Sequence, residues 1–136
     1  MKKRSALSIL SAAVCTFVLS SSMALAKDDV GPLGTGDDFD IVGYGSQVTD
    51  VTSKSAYLWA FTEGEGRDLS YVRVYSYFYV NGQMVDSDYT NDPSYADIDY
   101  DAEATNLSKA RITSSHYAYN QLGDTKTKTS EDQWPN

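Results

Sequence analysis

From about residue 41 onward, period-two segments recur along the chain, and turn-forming residues separate them at short intervals. The clearest case is 69–80. There Val72, Val74, Phe78 and Val80 share one parity, and Tyr71, Arg73, Tyr75, Tyr77 and Tyr79 share the other. Successive side chains of an extended chain point to opposite faces, so this spacing predicts a strand with one apolar and one tyrosine-rich face. No window sustains the i, i+3, i+4 spacing of a helix. The pattern predicts about seven strands, over 41–48, 55–62, 69–80, 83–90, 96–104, 109–119 and 125–134. Turn residues between them include Glu63-Gly64-Glu65-Gly66, Asn81-Gly82, Asn91-Asp92-Pro93 and Leu122-Gly123. Short strands at this interval predict an all-β fold, an antiparallel sandwich in preference to a small barrel.

Asn81-Gly82 predicts a two-residue type I′ hairpin, because both central residues must take positive φ. In that register paired residue numbers sum to 163. Phe78 then faces Val85, Val80 faces Gln83 and Val74 faces Tyr89 on the buried side. On the other side Tyr79 faces Met84, Tyr77 faces Asp86 and Tyr75 faces Asp88. Residues 71–80 also carry a single charge and high β-propensity, the profile of a strand that pairs edge to edge.

A second hairpin is expected between 96–104 and 109–119. Asp97, Asp99, Asp101 and Glu103 alternate with Ala96, Ile98, Tyr100 and Ala102. A three-residue loop would set Glu103 opposite Lys109 and Asp101 opposite Arg111, pairs that select the register.

The N-terminus has the form of a secretory signal. Lys2, Lys3 and Arg4 precede an apolar stretch from Ala6 to Leu19, and Ala24-Leu25-Ala26 offers a small-residue cleavage site. The stretch contains Ser8, Ser11 and Thr16 and is shorter than the ~20 residues a spanning helix needs. The expected organisation is a signal peptide over 1–26, an acidic flexible arm over 27–40, and one β domain over 41–136. The expected location is extracellular, without membrane insertion.

Cleavage changes the composition. Removing 26 of 136 residues leaves 110, with eight basic against nineteen acidic side chains, a net charge of −11. Such a chain repels nucleic acid and anionic membranes. The only cysteine, Cys15, departs with the signal, which excludes thiol and thiolate-metal chemistry from the remainder. Leu, Ile, Val and Phe make up only 19 of the 110, but all 11 Tyr and both Trp remain to supply buried area.

Catalytic and metal sites find little support. Alternate aspartates on one strand sit about 6.6 Å apart, too far for one strand to wrap Ca²⁺, so loop acids such as Asp86, Asp88 or Asp92 would have to help. Ala102 and Ser108 stand where an EF-hand requires Gly and Glu. His116, the only histidine, shares parity with Ala110, Ile112, Ser114 and Ala118 and is expected inside, away from Glu103 and Arg111. No Gly-x-Ser-x-Gly elbow occurs. No cofactor, metal or catalytic residue is assigned, and the chain is expected not to be an enzyme.

The leading expectation is a secreted, non-catalytic binding module. Its surface is the tyrosine and aspartate face formed by Tyr71, Arg73, Tyr75, Tyr77, Tyr79, Asp86 and Asp88, and its ligand a glycan or a protein. The alternative is a structural matrix protein that self-assembles by strand addition through its edges. A small secreted hydrolase or toxin ranks third.

Overall fold

The computed structural model describes residues 36–136. The signal segment 1–26 and the first part of the acidic arm, 27–35, lie outside the described residues. Seven antiparallel strands form two facing sheets, and no helix occurs among the described residues. They are β1 (Asp40–Thr49), β2 (Ser55–Glu65), β3 (Leu69–Val80), β4 (Gln83–Asp92), β5 (Tyr95–Glu103), β6 (Ala110–Asn120) and β7 (Thr125–Trp134). Sheet A has the order β1-β2-β5 and sheet B the order β4-β3-β6-β7, giving a sandwich-like fold. Phe39, placed by its sequence in the acidic arm, is buried, and Asp40 opens β1.

The period-two pattern creates the core. Leu58 and Ala60 of β2, Ile98 and Ala102 of β5, Val72, Val74 and Phe78 of β3, and Ile112 and Ala118 of β6 all face the gap between the sheets and are buried. The Phe78 ring stacks on Tyr100 with centroids 4.9 Å apart, joining the two layers. Alanines at 56, 60, 96, 102, 110 and 118 keep the inner faces shallow, so short side chains suffice to fill the space between them.

Asn81 and Gly82 have φ values of 50° and 83°, the backbone that a type I′ turn demands. The 163 register holds only for Val80/Gln83 and Tyr79/Met84. A β-bulge at Val85 then inserts one residue, and Phe78 pairs with Asp86, Tyr77 with Ser87, Tyr75 with Tyr89 and Val74 with Thr90. The expected pairs Phe78/Val85, Tyr77/Asp86, Tyr75/Asp88 and Val74/Tyr89 are therefore replaced. One extra residue exchanges the two faces of β4 for the rest of its length.

The second hairpin does not form. β5 pairs with β2 in sheet A, whereas β6 lies in sheet B between β3 and β7. Asp101 stands opposite Tyr57 and Glu103 opposite Ser55, not opposite Arg111 and Lys109. The loop that was to close a hairpin instead crosses between the layers: Leu107 is buried, and its N–H donates to the Ser53 carbonyl. The edge-pairing expectation for 71–80 also falls, because β3 is flanked on both sides by β4 and β6. Among the described residues the free edges belong to β1, β5, β4 and β7.

Side chains close the β1/β7 side of the sandwich. The Val48 N–H donates to Asp132 Oδ2 at 2.8 Å, Ser46 and Ser130 hydroxyls lie 2.6 Å apart, and Lys126 reaches Asp40 at 3.9 Å.

Candidate functional site

The outer face of sheet B is the most distinctive surface. β3 contributes Tyr71, Arg73, Tyr75, Tyr77 and Tyr79, β4 contributes Tyr89, and β6 contributes Arg111, Tyr117 and Tyr119. All five β3 residues expected on this face are on it, half-buried or exposed, with no second layer over them among the described residues. The rings support one another. Tyr71 and Tyr119 stack at 4.5 Å, Tyr75 and Tyr89 stack at 6.3 Å, and Tyr75 meets Tyr77 edge-on at 4.9 Å. The Arg73 guanidinium lies 4.9 Å from the Tyr89 ring and 5.6 Å from the Tyr119 ring, and its Nε donates to Asn91 Oδ1 at 2.6 Å. Arg111 sits 4.1 Å from the Tyr79 ring. Each cation is thus held over the negative face of an aromatic ring.

Asp86 and Asp88 do not belong to this face. The Val85 bulge turns them to the side of Phe78 and Ser76, where they are exposed at the margin of the edge strand. Each accepts a hydrogen bond from the following backbone N–H, Ser87 and Tyr89 respectively. Sequence parity missed Tyr89, because the bulge reverses it, and missed Tyr117, Tyr119 and Arg111, because their strand was paired with the wrong partner. Their own alternation with Ile112, His116 and Ala118 would have placed them once β6 was set beside β3.

Beside Tyr77 the same face carries an open depression of about 400 Å³, lined by Thr113, Ser115, Thr129 and Glu131. The Tyr77 hydroxyl titrates above its ordinary range, chiefly through hydrogen bonding to Tyr75 and its proximity. Tyr119 is pushed up as well, mainly by burial, against an opposing pull from Arg73. Both therefore present neutral hydroxyls at physiological pH.

A second aromatic surface, absent from the sequence reading, covers the outside of sheet A. Trp59 stacks on Phe61 at 5.4 Å, and Phe61 stacks on Tyr95 at 5.8 Å. Gly43 and Gly45 make room for the Phe61 ring: a Cβ at either would come within 3.3 Å of it. Gln47 Oε1 accepts from Trp59 Nε1 at 3.1 Å and fixes the indole. The alternation of Tyr57, Trp59 and Phe61 with Ala56, Leu58, Ala60 and Thr62 carried the signal.

Between the sheets lies a buried polar chain. Thr62 Oγ1 is hydrogen-bonded to His116 Nδ1 at 2.8 Å and donates to the Arg73 carbonyl at 3.1 Å. His116 Nε2 is hydrogen-bonded to Ser130 Oγ at 2.7 Å. Ser46 contacts Ser130 and donates to Ser114 at 2.8 Å, and Ser114 bonds to Ser76 at 2.8 Å. Burial lowers the His116 pKa to about 4, partly opposed by a hydrogen bond to the Phe61 backbone. Ser130, His116 and Thr62 have the spacing of a nucleophile, a base and an orienting group. The third member is a neutral hydroxyl, though, and offers no charge to steady an imidazolium. Burial also leaves the imidazole a weak base near neutral pH. The chain's evident effect is to link β1 and β2 of one sheet to β3, β6 and β7 of the other.

Asp92, one of the loop acids considered for calcium, shapes a turn. It accepts from the Ser94 and Tyr95 backbone N–H groups, which lower its pKa and fix the β4–β5 connection. Among the described residues no group of three His, Cys, Asp or Glu side chains is placed to hold a metal ion.

No family model matches the chain, and no curated protein matches it in sequence. Among solved structures, a proposed β-galactosidase from Bacteroides fragilis is similar over 67% of the chain, at 14% identity and a TM-score of 0.41. The chain spans only 15% of that protein's length. A protein from Archaeoglobus fulgidus is similar over 71% of this chain and 98% of its own, at 10% identity and a TM-score of 0.35. Neither likeness carries a functional inference.

Proposed function

We propose that the protein is an exported, non-catalytic binding module that engages a protein partner through the outer face of sheet B. One observation supports this above the rest. Seven tyrosines and two arginines from three strands share a single face that is uncovered among the described residues. Tyr and Arg dominate the centres of protein interfaces, because they offer large contact areas and directed hydrogen bonds at modest entropic cost. Mutual stacking fixes these side chains before any partner arrives, which reduces the ordering cost of binding. Stacking also occupies ring faces with other rings and with guanidinium groups, leaving edges and hydroxyls outward. That geometry favours a polypeptide over a sugar ring, which stacks on a bare aromatic face.

A saccharide is the second reading, favoured by the depression beside Tyr77, where hydroxyls and the Glu131 carboxylate adjoin an exposed ring. The test compares the wild-type protein with a Tyr75→Ser/Tyr77→Ser variant in capture from extracellular protein fractions and on immobilised glycans. A protein retained by the wild type and lost by the variant, at equal thermal midpoints, supports the reading. Equal capture by both overturns it, and glycan retention that depends on the two tyrosines moves the assignment to the saccharide.

A further inference from the structure

The outside of sheet A differs chemically from the tyrosine face. Its ridge of Trp59, Phe61 and Tyr95 runs beside Glu63, Asp97, Asp99, Asp101 and Glu103, all five of them exposed. The register makes each ring a cross-strand neighbour of a carboxylate: Asp97 faces Phe61, Asp99 faces Trp59, Asp101 faces Tyr57 and Glu63 faces Tyr95. The ion pairs among the described residues engage Asp38, Asp40 and Asp68 instead, and none engages a carboxylate of this row. Its field is felt locally. Tyr57 and Tyr95 titrate above their ordinary range, first through burial and then through Asp99, Asp101 and Asp97 for Tyr57, and Asp97 and Glu63 for Tyr95.

Like charges spaced about 6.6 Å apart on one strand repel across less than a Debye length, and a cation relieves that repulsion. Aromatic faces attract cations as well. The row is linear, so it suits a linear array of positive charges at alternate positions of an extended chain. We propose that the outer face of sheet A is a docking surface for an extended cationic polypeptide segment. Its lysine or arginine side chains seat between the carboxylates of Asp97, Asp99 and Asp101 and the rings of Trp59, Phe61 and Tyr95. Three strands about 4.8 Å apart, each rising about 3.4 Å per residue over some nine residues, give a footprint of roughly 440 Å² per partner. That is the size of a weak, exchangeable contact. The surface is independent of the tyrosine face and faces the opposite way.

The test measures fluorescence anisotropy of a labelled peptide of alternating arginine and serine, with an alternating glutamate and serine peptide as the control. The wild-type protein binds the first and not the second. Asp97→Asn/Asp99→Asn weakens binding roughly tenfold, as expected for two partly exposed charge pairs. Asp86→Asn/Asp88→Asn removes the same two charges from β4 and leaves binding within about twofold. Trp59→Ser, which changes no charge, weakens binding about threefold. Tyr95→Ser, at a more exposed ring, does the same and guards against a folding defect at Trp59. Equal losses from the two aspartate pairs would mean that the peptide reads only net charge, and would overturn the proposal. So would unchanged affinity in both aromatic variants, or no binding by the wild type. Concentration-dependent mass of the wild type alone, abolished by Asp97→Asn/Asp99→Asn, would give the face to a second copy and overturn it too.

Discussion

Thr62 of one sheet and His116 of the other meet through a 2.8 Å hydrogen bond between Oγ1 and Nδ1 at the centre of the sandwich. Both are fully buried. The folded protein holds His116 near pKa 4, against 6.5 for the free side chain, because burial disfavours the charged ring. Between those values the unfolded chain takes up a proton that the folded chain refuses. Stability is therefore complete above pH 6.5 and falls as the pH drops towards 4. Unfolding by denaturant should cost about 2 kcal/mol less at pH 5 than at pH 7.5 from this group alone. His116→Gln should flatten the dependence in that window. Thr62→Val leaves the ring nitrogen and the Arg73 carbonyl without their partner, and should cost about 1–3 kcal/mol at pH 7.5.

Three glycines should separate steric from conformational need. An added Cβ at Gly64 would stand 2.5 Å from Val72 Cγ1 inside the core, so Gly64→Ala should cost about 1–3 kcal/mol through overpacking. At Gly66 φ is +128° and the Cβ would strike the Asp38 carbonyl, part of the backbone. Gly66→Ala should be the most damaging, above about 2 kcal/mol. Gly82 has φ +83° but open space around it, so Gly82→Ala should cost only about 1 kcal/mol. Denaturant midpoints of the three variants give the order directly.

Strand positions were legible because each strand buries one parity, and that periodicity is local to the chain. All seven expected segments lie within about three residues of the observed strands at each end. What pairs with what was not local. The bulge at Val85 has no Gly or Pro to announce it, yet it moves Asp86 and Asp88 off the tyrosine face and brings Tyr89 onto it. The charges of 97–103 and 109–111 complement one another as a hairpin would require. Burial of Leu107 and the Ser53 carbonyl instead draw that loop across to join the two sheets. The tyrosines of β3 were found from parity alone. Tyr117 and Tyr119 needed the knowledge that β6 lies beside them.

Asn81 does more than supply positive φ. Its Oδ1 accepts from the Ser108 N–H and hydroxyl and from the Lys109 N–H, and its Nδ2 donates to the Asn106 carbonyl. The hairpin tip thereby holds the crossing loop between β5 and β6. Asn81→Gly keeps the turn conformation and removes the clamp, with a smaller contribution from the added freedom of the unfolded chain. The expected loss is about 0.5–1.5 kcal/mol, with faster amide exchange at Ser108 and Lys109 as the local signature.

Tyr77 and Phe78 are neighbours in sequence on opposite faces of β3, the first 37% exposed and the second 1%. Phe78 packs on Tyr100 in the core, so Phe78→Ala should cost about 3–5 kcal/mol. Tyr77 contacts Tyr75 edge-on above the sheet, so Tyr77→Ser should cost no more than about 1.5 kcal/mol. The gap between the two values in denaturant unfolding measures the difference between a ring that holds the layers together and one that faces solvent. If Tyr77→Ser proves as damaging as Phe78→Ala, that ring is structural. The tyrosine face then loses the most exposed of its β3 members as a contact residue.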